Sequence, residues 1–518
     1  MERFALLPLM AVLLLQPGSQ LWARPQQTTA TVAEAIKRID FGVPEFRDRG
    51  SARHVFAEIN LREKQLLELA RWLTLDEAIE AALANNPDLA AAYSTIEGER
   101  WSVIAARRLW YPTLLISPDR DSTLQLGGVL IQSTSSSANP SANTTTGSSE
   151  ANQAINTQLE LSWTFFDQSR GPAINAAIGS LKAQRFLFDV AARNLVLDVQ
   201  SAYYRLQEQM RLVDQYKVIT LLTSLQLDLA SQNLQQGRLQ SIQIYQLRTT
   251  QRAELINLIQ AYVALFDVSV ELSRLLALPG LTLVLASDAS QSAGRWSDDV
   301  QTTVANAEAF REEIQAQLQQ SQSQRWRSSE LLGAYWPKLA LLSVGNLDSF
   351  GNRTWGSGGL SGAGSTKSGT GTVGVALNWS LFDGGIKAAD AVNRRIAAQT
   401  LALQAASTRL QVSAQVRQSY TRYVGAMLAL QNAEDALRDS WKAFLGAIQL
   451  FQKKAINATT LIQTQAQLVE AITEAAAAQR LLNTSLAELY RFSARWPPSV
   501  EPVFNQRMRR FRSSDDPE

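Results

Sequence analysis

The segment Leu161-Ser162-Trp163-Thr164-Phe165-Phe166-Asp167 recurs 216 positions later as Leu377-Asn378-Trp379-Ser380-Leu381-Phe382-Asp383. Leading through the first copy, Ile155, Thr157, Leu159, Leu161, Trp163 and Phe165 alternate with Asn156, Gln158, Glu160, Ser162 and Thr164. In the second, Val373, Val375, Leu377, Trp379 and Leu381 alternate with Thr372, Gly374, Ala376, Asn378 and Ser380. A period of two marks a strand with one apolar and one polar face. Strands of about 9 to 11 such residues suit a membrane barrel, with Trp163, Phe166, Trp379 and Phe382 as interface aromatics. The same period also fits a half-buried hairpin packed on a helix.

The duplication reaches beyond the strands. Tyr111-Pro112 is echoed by Trp336-Pro337, 225 positions on, while Val199-Gln200-Ser201-Ala202-Tyr203 and Glu271-Leu272-Ser273-Arg274 return 217 positions on as Val416 to Tyr420 and Glu488 to Arg491. The change in offset falls between Pro112 and Trp163, where an exposed loop tolerates a change in length. From Ser180 to Gln236 there is neither glycine nor proline, and 386–454 contains only Gly425 and Gly446, so two very long amphipathic helices are expected. At 1.5 Å per residue they reach roughly 95 and 100 Å. Turns at Gln236-Gly237-Arg238 and Ala455-Ile456-Asn457-Ala458 end them with a glycine or asparagine in the left-handed conformation.

The expected organisation is a signal peptide over 1–23, an N-terminal extension over 24–70, one repeat over 71–280, a second over 281–497, and a flexible tail over 498–518. In the first repeat, helices are expected at about 75–110, 173–236 and 239–278, with strands at about 113–131 and 153–166. In the second, the helices are at about 299–336, 386–454 and 458–495, with strands at about 338–349 and 371–383. Flexible loops are expected at Ser133 to Glu150 and Asn352 to Gly371, which are dominated by Ser, Thr, Asn, Ala and Gly. The fold class is therefore mainly α with membrane β, a duplicated unit of long coiled-coil hairpins with four strands per chain. Four strands enclose no channel, and open edges are not tolerated in lipid, so several chains must combine.

Composition narrows the chemistry. The 518 residues include no cysteine and a single histidine, His54, which excludes thiolate nucleophiles, zinc–thiolate centres and multi-histidine metal sites. No metal or other cofactor is expected, and no convergent catalytic set is present. The net charge of +2 gives no reason to expect nucleic acid as a partner. The apolar run from Phe4 to Leu15 is too short to span a membrane and reads as a secretory signal, the other reading being a short anchor. Asp76-Glu77 and Asp298-Asp299 fit helix starts better than acid–base pairs.

Leu73-Thr74-Leu75-Asp76-Glu77-Ala78-Ile79, continuing to Asn85-Asn86-Pro87-Asp88-Leu89, resembles the opening of the TolC-like outer membrane efflux proteins. The Trp-Tyr-Pro and Trp-Pro strand entries and the paired Trp-x-x-Phe-Asp motifs are similar to the same family, over about 71–497. The resemblance implies a homotrimer in the outer membrane of a Gram-negative-type envelope. Its twelve-stranded barrel would continue into a helical periplasmic tunnel. It further implies an exit duct for tripartite drug efflux or type I protein secretion, in contact with outer-membrane lipid, a periplasmic adaptor and an inner-membrane transporter.

In that family the helix turns form a closable entrance met by the adaptor, with aspartates as aperture rings. The matching positions here are Gly237 and Gln243 in the first repeat and Ala455, Leu461 and Thr464 in the second. Gln243, Leu461 and Thr464 are thus the expected aperture residues, without acidic rings, and Gly237, Arg238, Ala455 and Asn457 the adaptor-contacting tips. Leu461 also fits a place inside the coiled coil. The competing reading of the whole chain is a secreted coiled-coil stalk.

Overall fold

The computed structural model describes residues 70–118, 124–131, 147–235, 240–280, 282–356, 359–498 and 500–501. The segment expected as a signal peptide, nearly all of the expected N-terminal extension and most of the expected tail lie outside them, as do Gly237, Arg238 and the stretch 132–146. The first repeat runs β1 (Arg71–Leu73), α1 (Leu75–Asn85), α2 (Pro87–Arg108), β2 (Thr113–Pro118), β3 (Leu124–Ile131), β4 (Gly147–Phe166), α3 (Arg170–Gln235) and α4 (Ser241–Leu275). The second runs β5 (Val284–Ala286), α5 (Val300–Phe310), α6 (Glu312–Gly333), β6 (Lys338–Gly356), β7 (Gly359–Asn378), α7 (Ile386–Gln452) and α8 (Ala458–Phe492).

The helices α3 and α7 have 66 and 67 residues, about 100 Å each. Each folds back on a 35-residue return helix, and the shorter α2 and α6 flank the rest of the rod. Two expected helices are each interrupted once. Asn86 is extended (φ −64°, ψ 122°) because the following Pro87 disfavours the helical region for it; its side chain caps α2 and donates to the Leu275 carbonyl. Arg311, 225 positions on, takes the same conformation (φ −64°, ψ 123°) with no proline to impose it. Its guanidinium instead holds Glu313 at 2.9 Å and donates to the Phe492 carbonyl.

The glycine- and serine-rich stretch expected as a loop at 352–371 is largely strand. β6 and β7 are 19 and 20 residues long and pair antiparallel from Lys338↔Asn378 to Gly356↔Gly359. β4 likewise begins at Gly147. Ladder hydrogen bonds from neighbouring strands supply what the side chains cannot. In the other direction, β7 stops at Asn378, so Trp379 and Phe382 stand beyond the strand. The ring N–H of Trp379 donates to the Tyr335 carbonyl at 3.0 Å, as that of Trp163 donates to Trp110 at 2.9 Å. Asp383 then starts α7 by accepting from the Gly385 and Lys387 amides, with Gly384 and Gly385 at positive φ making the turn.

About a third of the way along α3 from the sheet, the ends of α8, α5 and α6 meet it through buried ions. Arg193 is 2.7 Å from Glu312, donates to the Arg495 carbonyl and lies over the Trp496 ring at 4.2 Å. Arg491 donates to Asn194 at 2.7 Å and to Glu313 at 2.5 Å. The parallel pair β1–β5 joins the starts of the two repeats at the same level, tied to α3 by the Tyr203 hydroxyl, which donates to the Leu73 carbonyl. Burial works to raise the Glu313 pKa, but Arg491 and Arg311 together hold it below its ordinary value. Glu313→Gln should therefore lower stability at neutral pH by about 3 kcal/mol, since it strands two buried cations. Because the folded-state pKa is depressed, that contribution is present above the unfolded-state pKa and is lost as pH falls through the folded value. Thermal unfolding of both proteins should thus differ at pH 7 and converge on acidification.

Candidate functional site

β2 and β3 pair successive parts of β4, so the sheet has four strand lines in the order β2/β3, β4, β6, β7. Among the described residues it does not close on itself, and β2 and β7 lie at its two ends. Its register sorts the side chains. Leu161 pairs with Leu114 and Ser343, Leu159 with Ile116 and Gly345, Trp163 with Leu341, and Leu341 with Val375. Leu339, Leu347, Val373 and Leu377 complete this apolar face, and Val373 is 75% exposed in the single chain. A Cβ placed on Gly369 would meet Leu347 at 3.6 Å, which fixes the two on one side.

The opposite face carries Gln158, Glu160, Ser162, Asn346, Asp348, Ser368, Thr370 and Thr372, with Leu115, Leu342 and Val344 among them toward its base. The apolar rows run from Leu339 to Leu347, about 26 Å of strand and about 20 Å of height at the usual barrel tilt. That is close to the apolar band of an outer-membrane barrel. A sheet with an apolar face of this height and a mainly polar opposite face can separate lipid from water. Trp163 stands in the bottom rows of this face and Phe166 pairs with Leu339 across a bulge, whereas Trp379 and Phe382, the latter 87% exposed, lie below it.

At the far end of the rods, α7 ends with Lys454 in the left-handed conformation (φ 60°), and the Ala455 amide donates back to the Leu450 carbonyl at 2.8 Å. Asn457, expected as a left-handed residue, is instead the N-cap of α8, accepting from the Thr460 amide at 2.9 Å. The helix-ending bonds serve the exposed carbonyls whichever residue bears positive φ, and Asn is better used as a cap. Ala455 and Asn457 are exposed.

Leu461 is fully buried within its own chain, in the core formed with Phe444, Ala447 and Leu468. Thr464, half-buried, donates to the Leu461 carbonyl at 2.8 Å. Gln243 stands half-buried in the first turn of α4, on the other hairpin. The two hairpins are joined farther up by a pair not singled out in the sequence. Buried Gln465 donates to buried Glu254 at 3.0 Å, and Asn257 donates to its second oxygen at 3.2 Å. Burial pushes the Glu254 pKa up, against these two bonds. The signal was present: Glu254 interrupts the buried stripe Leu247, Leu258, Ala261 and Leu265. Among the described residues there is no group of three or more His, Cys, Asp or Glu placed to hold a metal.

No protein-family model and no curated protein matches the sequence. Solved structures do. The transmembrane channel CusC aligns over 87% of this chain and 95% of its own, at 15% identity and a TM-score of 0.63. The Campylobacter jejuni outer membrane channel CmeC aligns over 83% and 89%, at 14% identity and 0.62. The Vibrio cholerae outer membrane protein VceC aligns over 81% and 95%, at 15% identity and 0.61. This chain therefore has the TolC-like fold of the outer membrane factor channels.

Proposed function

We propose that the protein is an outer-membrane channel, the exit duct of a tripartite efflux system, conducting passively across the periplasm and the outer membrane. The observation that carries this reading is a sheet with a lipid-type face and a wet face, open at both edges, set on helices about 100 Å long. Such helices cross the periplasm and deliver the entrance to an inner-membrane transporter, with an adaptor seated on the tips at Gly237, Arg238, Ala455 and Asn457. The closable entrance lies near Gln243 and Thr464. Leu461 acts there by packing the tip, since its side chain is enclosed. A coiled-coil stalk would have no use for the two-faced sheet. Cargo in this reading is small molecules or polypeptides, the latter through type I secretion.

Two chains would give eight strand lines, whose interior side chains just fill, whereas three give twelve and leave a lumen. The repeat supplies the contact that assembles them. Within one chain, Gly179 of α3 lies against Ser323 of α6, a Cβ on Gly179 falling 3.1 Å from that of Ser323, and Ser323 donates to the Ala176 carbonyl. The repeat offsets place Gly98 of α2 where Ser323 stands and Ile396 of α7 where Gly179 stands. In the single chain nothing lies within 4 Å of a Cβ on Gly98, and Ile396 is 55% exposed. Ile396, Leu403 and Leu410 form an exposed stripe seven residues apart. This stripe packs on α2 of the next copy, with the glycine receiving the larger isoleucine.

Purified protein should have the mass of a trimer and give discrete single-channel currents in planar bilayers. A monomer that never inserts would sink the duct. In this cysteine-free chain, Gly98→Cys combined with Ile396→Cys should cross-link copies into a covalent trimer, because a disulfide requires Cα atoms within about 7 Å. Gly98→Leu should shift the protein to monomer by filling the space meant for Ile396. An absence of intermolecular cross-links in a confirmed trimer would refute this contact.

A further inference from the structure

We propose that Glu160 and Asp348 line the barrel and make it select cations over anions. The inference rests on the trimeric duct described above and concerns what its membrane segment lets through. Glu160 pairs with Leu115 and Val344, and Asp348 with Asn156 and Ser368, all on the face opposite the apolar rows. The two levels are four residues apart along the strands, about 13 Å. They form two separate rungs of three carboxylates each rather than one cation site.

Charge is sorted between the two faces. Among the polar-face residues whose side chains are described, the remaining ionisable one is Lys338 at its base, whose ammonium is 2.9 Å from the Asp167 carboxylate and so compensated. Lys367 belongs to the other face, opposite Ser349 and just above the last apolar row. The Ser368 hydroxyl donates to Asp348 at 3.5 Å. The wall facing the lumen therefore keeps its negative charge, with no described cation free to offset it.

Size decides whether this matters. Twelve strands spaced about 4.8 Å apart and tilted about 40° give a backbone radius of about 12 Å. Side chains of this length bring the carboxylates to within about 8 Å of the axis, which is the Debye length at physiological salt. The rungs then act across the whole cross-section, as acidic rings do in cation channels. At 1 M salt, where the screening length falls to about 3 Å, they act only near the wall. The helix tips cannot supply the same preference at the positions expected to line the entrance, since Gln243, Leu461 and Thr464 are uncharged, and Lys453 and Lys454 beside them are exposed cations.

The test is the reversal potential of single channels under a tenfold KCl gradient. The unmodified trimer should favour K⁺ over Cl⁻, more strongly in dilute than in concentrated salt. Glu160→Gln combined with Asp348→Asn should lower that ratio several-fold toward unity, with trimer mass and channel formation retained, while Lys367→Gln on the lipid face should leave it unchanged. A conducting double variant with the unmodified reversal potential overturns the proposal. So does an unmodified channel that prefers anions, which would locate the selectivity at the lysines of the tips. A trimer that carries no current at all overturns the duct reading itself.

Discussion

A strand edge cannot be left unpaired in hydrocarbon, because each buried amide and carbonyl without a partner costs several kcal/mol. Among the described residues β2 and β7 leave two such edges on a sheet with one apolar face about as tall as the apolar band of an outer-membrane barrel. The rest of the molecule answers to that condition. In the proposed duct these edges meet those of further copies, which the helices beneath them bring into register. In that proposed assembly the length of the helices sets its reach below the membrane.

The duplicated sequence uses one packing solution repeatedly. α6 is wedged between α3 and α7 with serine hydroxyls on neighbouring backbone carbonyls, Ser323 on Ala176, Ser321 on Ala398 and Ser328 on Ala391. Its counterpart α2 is covered by α3 on one side only. A repeat that is complete at its internal junction and incomplete at its outer one suits the closed ring of identical chains proposed above. The buried ionic cluster of Arg193, Arg311, Glu312, Glu313 and Arg491 lies where α6 begins, and fixes its level along the rods.

Much of the helical framework and the two-faced strands was legible from sequence, because each rests on a strong local pattern. Glycine- and proline-free stretches leave the helix unbroken, and alternation over five or six residues admits one reading of the two faces. The ends of the strands were less legible. Gly364 to Gly371 has no pattern of its own and becomes strand because β6 pairs with it residue for residue. Trp379 and Leu381 continue the alternation past the point where β7 stops, since Asp383 has begun the turn into α7. At the helix tip, Leu461 occupies a matching position for an aperture residue, yet its burial follows from the α7–α8 hairpin around it.

The sequence by itself determined the repeat, the long helices, the two faces of the strands and the lack of the side chains that thiol or multi-histidine chemistry needs, since these depend on residue type and spacing alone. Tertiary structure decided the rest. It extended the hairpin β6–β7 through a glycine-rich stretch, and it broke the second flanking helix at Arg311, where no proline stands, because Glu313 and the end of α8 hold that guanidinium. It placed Glu254 against Gln465 from the other hairpin. It also put Glu160 and Asp348 on one wall although 188 residues separate them in sequence, because register is set by backbone pairing between distant strands and by nothing local to either residue.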